Sequence, residues 1–179
     1  MVYMFLAEGF EEIEALCPFD LLRRAGVDVK TVGIGSKNIS GAHGITVVAD
    51  VRDDEISDYT ADMIILPGGM PGTLNLEASE VVAGAIDAAV TKGSYIAAIC
   101  AAPSILGKRG LLVGKEAICY PGFEDKLEGA KISSKRVVVD GKIITAAGMG
   151  VALEFGLALV AILCGAQKAD ALRKSVIAD

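Results

Sequence analysis

The sequence predicts an α/β domain of the doubly wound type, with a mostly parallel sheet and helices on both faces. Strand-like and helix-like segments alternate over the first hundred residues, as parallel β-α-β units require. Hydrophobic residues make up 53% of the 179 residues, which is enough to fill a sizeable core. No repeat, linker or low-complexity tract interrupts the chain. We therefore expect residues 1–179 to form a single domain.

The expected elements follow from short apolar runs and from helical periodicity between them. An apolar run begins the chain and is followed by an amphipathic segment rich in acids at its start. In chain order we expect a strand at Val2–Leu6, a helix ending at Ala25, strands at 27–32 and 63–66, a helix near 76–91, and a strand ending at Cys100.

The C-terminal part has a different pattern. Residues 136–144 contain two β-branched runs on either side of Asp140-Gly141, which predicts a β-hairpin. Helices from about Gly150 and about Lys168 then close the domain. The apolar stretch at 151–166 contains Glu154 and is shorter than the ~20 residues of a membrane span, so we expect a buried core helix there.

Charge and cysteine content narrow the classes of partner. The 17 basic and 23 acidic residues give a formal net charge of −6, with no basic run, which weighs against nucleic-acid binding. The apolar run at residues 2–6 is too short for the core of a signal peptide, and the four cysteines form no C-x-x-C pair. We therefore expect a cytoplasmic protein with reduced thiols that binds neither nucleic acid nor a membrane.

Cys100 is the most informative residue of the chain. An apolar strand-like run stops at this thiol, and a helix is expected to start just after it. Ala98 and Ala102 occupy the positions two before and two after it, where a nucleophile elbow needs small residues. The N-terminus of a helix offers free N–H groups and a partial positive charge. The sequence therefore predicts a thiol that ionises and reacts easily.

Two other segments follow strands in the same way, so their residues should meet Cys100 at one edge of the sheet. Residues 9–14 (GFEEIE) follow the first strand and bring an acid toward the crevice. Gly68-Gly69 follows another strand, and consecutive glycines let N–H groups approach an anion, as an oxyanion hole requires. Glu8, Glu11 and Glu12 are most simply solvated acids at a helix start.

Together these segments resemble the ThiJ/PfpI superfamily, and within it the branch of the parkinsonism-associated deglycase and its bacterial relatives. The resemblance extends over essentially the full length. It implies a flavodoxin-like sandwich of the class I glutamine amidotransferase type, usually assembled as a homodimer. The stretches that carry the resemblance are residues 8–14, 23–26, 66–69, 97–103 and 153–155.

The resemblance also implies roles for individual residues. Cys100 would be the reactive thiol, Glu14 the carboxyl hydrogen-bonded to it, and Gly69 and Ala101 the pair of backbone N–H groups. The implied activity is that of a glyoxalase III-like lyase or a deglycase-like hydrolase acting on small reactive carbonyls.

The chemistry of a thiol beside a carboxyl group fits that activity. A carboxylate next to a thiolate is repelled, so Glu14 should be protonated and donate a hydrogen bond to sulfur. A thiolate at Cys100 can add to an aldehyde to give a hemithioacetal, while Glu14 moves a proton between neighbouring carbons. With a dicarbonyl such as methylglyoxal, the product would be a 2-hydroxy acid.

The chain departs from the family pattern at the positions where relatives carry histidine. Ala101 follows the cysteine where protease-like members have histidine, and Tyr120 precedes Pro121 where deglycase-type members often have it. The only histidine, His43, lies in a region that the family uses near its dimer interface. We therefore expect no histidine base beside Cys100, which weakens a peptidase or amidase function.

One histidine and widely separated cysteines do not form the spacing of a metal site. No glycine-rich segment has the spacing of a phosphate loop. We therefore expect no cofactor. Tyr120 could replace the missing histidine as a donor toward substrate or could be a wall of the pocket.

Four residues have weaker expectations. Gly68 and Cys17 could line the pocket, although core packing is the simpler role for Cys17, and Arg24 and His43 are candidates for a dimer interface. A second function stays open, that of a redox-sensing or chaperone-like stress protein in which Cys100 is oxidised.

Overall fold

The computed structural model describes residues 1–56 and 58–178, which form eleven strands and six α-helices. The strands are β1 (Val2–Leu6), β2 (Val29–Gly33), β3 (Asn38–Ser40), β4 (Thr46–Val48), β5 (Val51–Arg52), β6 (Met63–Leu66), β7 (Tyr95–Ile99), β8 (Glu116–Ala117), β9 (Lys131–Ile132), β10 (Val137–Asp140) and β11 (Ile143–Ala146). The helices are α1 (Glu12–Arg24), α2 (Gly72–Ala78), α3 (Glu80–Lys92), α4 (Pro103–Lys108), α5 (Ala152–Cys164) and α6 (Ala166–Ser175). Short 3₁₀ turns occur at Asp53–Glu55, Glu124–Lys126 and Met149–Val151.

Seven strands form the central sheet, in the order β10-β11-β7-β6-β1-β2-β5. All neighbours are parallel except β10 and β11, which form the predicted hairpin around Asp140-Gly141. Two small pairs lie outside this sheet, antiparallel β3-β4 and parallel β8-β9. The predicted flavodoxin-like α/β fold with a mostly parallel sheet is confirmed.

Helices cover both faces of the sheet, so the central strands have no solvent-facing side. On one face α1, α5 and α6 pack on the strands through residues such as Leu22, Phe155 and Val160. On the other face α3 and α4 contribute Ile86 and Ile105. Strands buried on both faces are continuously apolar rather than alternating, which explains the four buried residues of β6.

Helix α5 occupies most of the longest apolar stretch and packs against α1, as predicted for a core helix. Within 1–56 and 58–178, no helix is both long enough and apolar enough to cross a bilayer. One detail differs from expectation. The helix predicted at 76–91 is two helices, because Ser79 caps α3 by accepting the N–H of Val82 at 3.3 Å.

The order of the strands fixes where a ligand can bind. The chain reverses its direction of winding at β1, since β2 lies on one side of it and β6 on the other. Crevices in open α/β sheets form at the carboxyl ends of strands next to such a reversal. The segments that follow β1, β6 and β7 carry Glu14, Gly68-Gly69 and Cys100, so the topology brings these three predicted groups to one edge.

Candidate active site

Cys100 occupies a sharp turn between β7 and α4. Its φ angle is +64°, in the left-handed region that residues with a side chain rarely adopt. Two backbone hydrogen bonds hold it there: its N–H donates to the carbonyl of Ala146 at 2.9 Å, and its carbonyl accepts the N–H of Tyr120 at 2.8 Å. Ala98 and Ala102 are fully buried on either side. This is the strand, turn and helix geometry of the predicted elbow.

Glu14 lies in the first turn of α1, and only 1% of its surface is exposed. Its Oε2 accepts the N–H of Gly68 at 3.0 Å. Its Oε1 is buried and has no hydrogen-bond partner of good geometry among the described residues. Burial raises the pKa of Glu14 to about 7, although hydrogen bonds from Cys100 and from the backbone of Gly68 and Met149 lower it. The carboxyl group is therefore poised to gain or lose a proton near neutral pH.

The Cys100 thiol ionises less easily than the elbow alone suggests. Burial, followed by the negative charge of Glu14, raises the pKa of Cys100 to about 12, while the N–H groups of Ala101 and Gly69 lower it. The expectation of an easily ionised thiol is wrong in direction, because burial of the sulfur and the neighbouring Glu14 carboxylate together outweigh the two N–H groups. The two side chains titrate as a pair that holds at most one negative charge near neutral pH.

Two backbone N–H groups face the Cys100 sulfur, those of Gly69 and Ala101. Gly69 has a φ of +93°, and an added Cβ would collide with the backbone of residues 9–11, so only glycine fits there. Gly68 lies behind the site, with Glu14 and Cys100 so close that a Cβ would be 2.5 Å from Glu14 Oε2. The glycine pair thus brings an N–H group to each member of the reactive pair.

A pocket of about 370 Å³ opens above Cys100, within the size range of small-molecule sites. Acidic groups and a histidine lie among its lining residues, and the rest of the wall is mostly apolar. The lining residues are Glu11, Glu14, His43, Gly69, Met70, Cys100, Ala101, Tyr120, Phe123 and Met149.

His43, which we expected near a dimer interface, lines this pocket, whereas the expectation of no histidine base directly beside Cys100 stays a prediction. Its Nδ1 is 2.9 Å from Glu12 Oε2 and 3.5 Å from Glu11 Oε2. The connection between β3 and β4 bends over the N-terminus of α1, so a residue distant in sequence from Cys100 reaches the same cavity. The interface role of His43 and Arg24 stays a prediction.

Glu11, Glu12 and His43 also form the one group in the described residues whose ligand atoms lie close enough to hold a metal ion, within 4.8 Å of one another. The sequence did not indicate this group, because His43 is far from Glu11 and Glu12 along the chain. The oxygens of Glu12, however, already accept hydrogen bonds from the backbone and ring of His43 and from the N–H of Ile45. The cluster therefore meets its hydrogen-bonding needs without an ion.

Other predicted site residues have different places. Cys17 is not in the pocket of Cys100 but in a separate depression that it shares with Arg24. The three residues from Glu14 to Cys17 advance the helix by ~4.5 Å, which takes Cys17 away from the crevice. Arg24 forms an ion pair with Asp20 at 2.6 Å.

Tyr120 lines the pocket and is half-exposed. Its ring lies against Gly148, where an added Cβ would be 3.2 Å from Tyr120 Cδ2. Across residues 1–56 and 58–178, no side-chain hydrogen bond involves its hydroxyl group. Both predicted roles, donor and wall, are compatible with this position.

Sequence reasoning missed several lining residues. Met70 could have been found, since it directly follows Gly69. Glu11 was assigned to solvent, yet its side chain is only 17% exposed. Phe123 and Met149 come from distant segments that carry no motif, so no signal in the sequence points to them.

Comparison with known proteins shows the family of the chain. Residues 1–162 match the DJ-1/PfpI family. The chain belongs to this family. The predicted resemblance to the ThiJ/PfpI superfamily is thereby confirmed, and with it the assignment to the branch of DJ-1 proteins, since the curated relatives carry that name.

Individual members of the DJ-1/PfpI family match most of the chain. DJ-1 homolog B of Arabidopsis thaliana is 41% identical over 167 residues, which cover 92% of this chain and 38% of that protein. Homolog A of the same plant is likewise covered to only 43%. The chain therefore spans about two-fifths of the length of these two relatives.

Two other members match along almost their whole length. A glutathione-independent glyoxalase of Caenorhabditis elegans, DJR-1.2, is 35% identical over 169 residues, covering 93% of this chain and 90% of that protein. The structure of oxidized Toxoplasma gondii DJ-1 superposes with a TM-score of 0.94 at 34% identity, covering 98% of this chain and 97% of that one. The family thus includes glutathione-independent glyoxalases.

Proposed function

We propose that this protein is a cofactor-independent glyoxalase or deglycase-type enzyme that acts on small reactive carbonyls such as methylglyoxal. One observation carries the proposal: the buried Glu14 carboxyl group adjoins the Cys100 thiol on its left-handed turn, with two N–H groups facing the sulfur. The similarity to a relative named a glutathione-independent glyoxalase supports it.

The reaction begins when the Cys100 and Glu14 pair has lost one proton. The sulfur attacks the aldehyde carbon, and the π electrons of the carbonyl move to its oxygen. The N–H groups of Gly69 and Ala101, which face the sulfur, would stabilise that oxyanion. The thiol proton passes through Glu14 to the oxyanion, which leaves a neutral hemithioacetal beside a carboxylate. A raised thiol pKa is compatible with this step, because Glu14 accepts the proton as the C–S bond forms.

Glu14 then moves a proton between carbons. Its carboxylate removes the hydrogen from the carbon bonded to sulfur, and the electron pair forms a carbon–carbon double bond as the neighbouring ketone becomes an enolate. The carboxylic acid returns the proton to that neighbouring carbon, the hydroxyl proton of the first carbon moves to the enolate oxygen, and the product is a thioester of a 2-hydroxy acid. Water cleaves the thioester and regenerates the thiol. One carbon is oxidised and its neighbour reduced, so no external oxidant or cofactor is required.

The decisive experiment measures conversion of methylglyoxal to lactate without glutathione. We expect turnover by the unaltered protein and its loss in Cys100→Ser. Cys17→Ser is a matched control, because Cys17 lies outside the pocket. Full turnover in Cys100→Ser would show that Cys100 is not the nucleophile.

A second candidate function is redox sensing or chaperone-like stress protection through oxidation of Cys100. It is favoured by the partial exposure of the thiol and by the N–H groups of Gly69 and Ala101, which could bind a sulfinate oxygen. If the protein consumes no dicarbonyl while mild peroxide modifies Cys100 selectively, this second function replaces the first. The homodimer and the cytoplasmic location remain predictions.

A further inference from the structure

Glu12 and His43 form a carboxylate–histidine pair at the pocket. Glu12 begins α1 and is only 4% exposed. Its Oε1 accepts the backbone N–H of His43 at 2.8 Å, and its Oε2 lies 2.9 Å from Nδ1 of the ring. A buried carboxylate in this position selects the imidazole tautomer with hydrogen on Nδ1. Nε2 is then the nitrogen left for molecules in the pocket.

The segment that carries His43 is fixed to α1 despite the exposure of the side chain. A β-bridge joins Phe10 to Gly41, and the N–H of Ala42 donates to the carbonyl of Phe10 at 2.8 Å. The Glu12 carboxyl group packs tightly on Gly41, where an added Cβ would lie 2.3 Å from Glu12 Oε1 and would displace that side chain. The imidazole is therefore positioned by its backbone as well as by its ring hydrogen bond.

We propose that His43 is a further catalytic residue, the acid and base that serves the second oxygen of a dicarbonyl substrate while Glu14 serves the carbon-bound hydrogen. This assignment rests on the proposed function and deepens it. It also narrows the substrate class, because His43 has a task only when the aldehyde carries an adjacent oxygen, as in 2-oxoaldehydes.

When Glu14 takes the hydrogen from the carbon bonded to sulfur, the π electrons of the ketone move to its oxygen, which takes a proton from Nε2 of protonated His43. The intermediate is a neutral enediol. Glu14 then delivers its proton to the second carbon, while the hydroxyl group on the first carbon gives its proton back to His43 and becomes the thioester carbonyl. Both residues return to their starting forms, with Glu14 ionised and His43 protonated.

The charges around His43 favour the form that this step needs. The hydrogen bond with Glu12, followed by the charges of Glu11 and Glu12, raises the pKa of His43 above its ordinary value. The first proton leaves the Cys100 and Glu14 pair near pH 7, and the raised pKa of His43 extends its protonated form toward that range. Glu11 and Glu12 are the titratable groups next to the ring. Glu14, Cys100 and Tyr120 are the other titratable groups that line its pocket. A rate that needs one ionised acid and one protonated base has a bell-shaped pH profile.

The test compares pH profiles of kcat for methylglyoxal in two variants. His43→Gln keeps a polar side chain but cannot transfer a proton, so kcat should fall by at least ~10²-fold with little change in KM, and the alkaline limb should disappear. Glu12→Gln removes the charge behind the ring, so the alkaline limb should move to lower pH while the acid limb stays. Alkylation of Cys100 by iodoacetamide should proceed at the unaltered rate in His43→Gln, which shows that the thiol and the fold are intact.

Turnover by the unaltered protein together with an unchanged alkaline limb in His43→Gln would overturn the role of His43 and leave the proposed function standing. No dicarbonyl turnover by the unaltered protein would overturn both. Loss of activity on chelation, restored by Zn²⁺, would assign His43 to metal binding and overturn its acid–base role.

Discussion

Gly68 lies directly behind Glu14: its N–H donates to Glu14 Oε2 at 3.0 Å, and its missing side chain leaves the room that this oxygen occupies. A Cβ built on Gly68 would be 2.5 Å from that oxygen and 2.6 Å from Cys100 Cβ. The glycine therefore sets the spacing of the reactive pair without entering the pocket.

Gly68→Ala should separate the reactive pair. The extra methyl group must displace Glu14 or Cys100, so we expect kcat/KM for methylglyoxal to fall by at least ~10²-fold and stability to fall by about 1–3 kcal/mol. Enzyme kinetics and denaturant unfolding measure the two effects. Gly150→Ala is the matched control, because a Cβ there has no neighbour within 4 Å. Full activity in Gly68→Ala would mean that the pair tolerates displacement.

Alkylation of Cys100 should depend on pH through Glu14. Burial raises the pKa of Glu14 to about 7, so below that pH the pair is neutral and unreactive, and above it the pair carries one negative charge. We expect the rate of alkylation to rise with a midpoint near pH 7. In Glu14→Gln this step should disappear, and the pKa of Cys100 should fall below about 12 because the neighbouring charge is gone. If Glu14→Gln kept the midpoint near pH 7, Glu14 would not be the group whose ionisation controls the alkylation of Cys100.

Tyr120→Phe should affect turnover little. The hydroxyl group takes part in none of the side-chain hydrogen bonds that the described residues form, and the ring that packs on Gly148 is kept. We expect kcat/KM to change by less than about threefold, whereas loss of a hydrogen bond to substrate would cost about tenfold. Steady-state kinetics with methylglyoxal distinguish the two. A tenfold decrease would assign Tyr120 as a donor.

Much of the fold and the two central residues could be predicted because their signals are local. β1, β6 and β7 are short apolar runs ended by turn residues, and the alternation with helices places their carboxyl ends together. Cys100 follows one of these ends, and Glu14 lies in the first turn of the helix that follows another. Residues at the carboxyl ends of neighbouring parallel strands lie close together because of the sheet topology alone, independently of how the side chains pack.

The remainder of the site depends on contacts between distant segments. His43 reaches the pocket only because the β3-β4 connection packs on α1, 31 residues away from Glu12 in sequence. The same holds for the titration of Cys100, since burial and a neighbouring carboxylate exist only in the folded chain. Cys17 shows the opposite error, in which closeness in sequence to Glu14 suggested a shared pocket that the helix geometry prevents.

The buried Oε1 of Glu14 lacks a hydrogen-bond partner of good geometry in the described part of the chain. A bound molecule that offers a well-aligned O–H or N–H group to such an acceptor gains a hydrogen bond there. We therefore expect the affinity of inhibitors for this pocket to depend more on the placement of a hydrogen-bond donor than on the apolar area that they bury. Among compounds of equal size, a gem-diol or a hydroxamic acid aimed at this oxygen is the better starting point for a tight ligand.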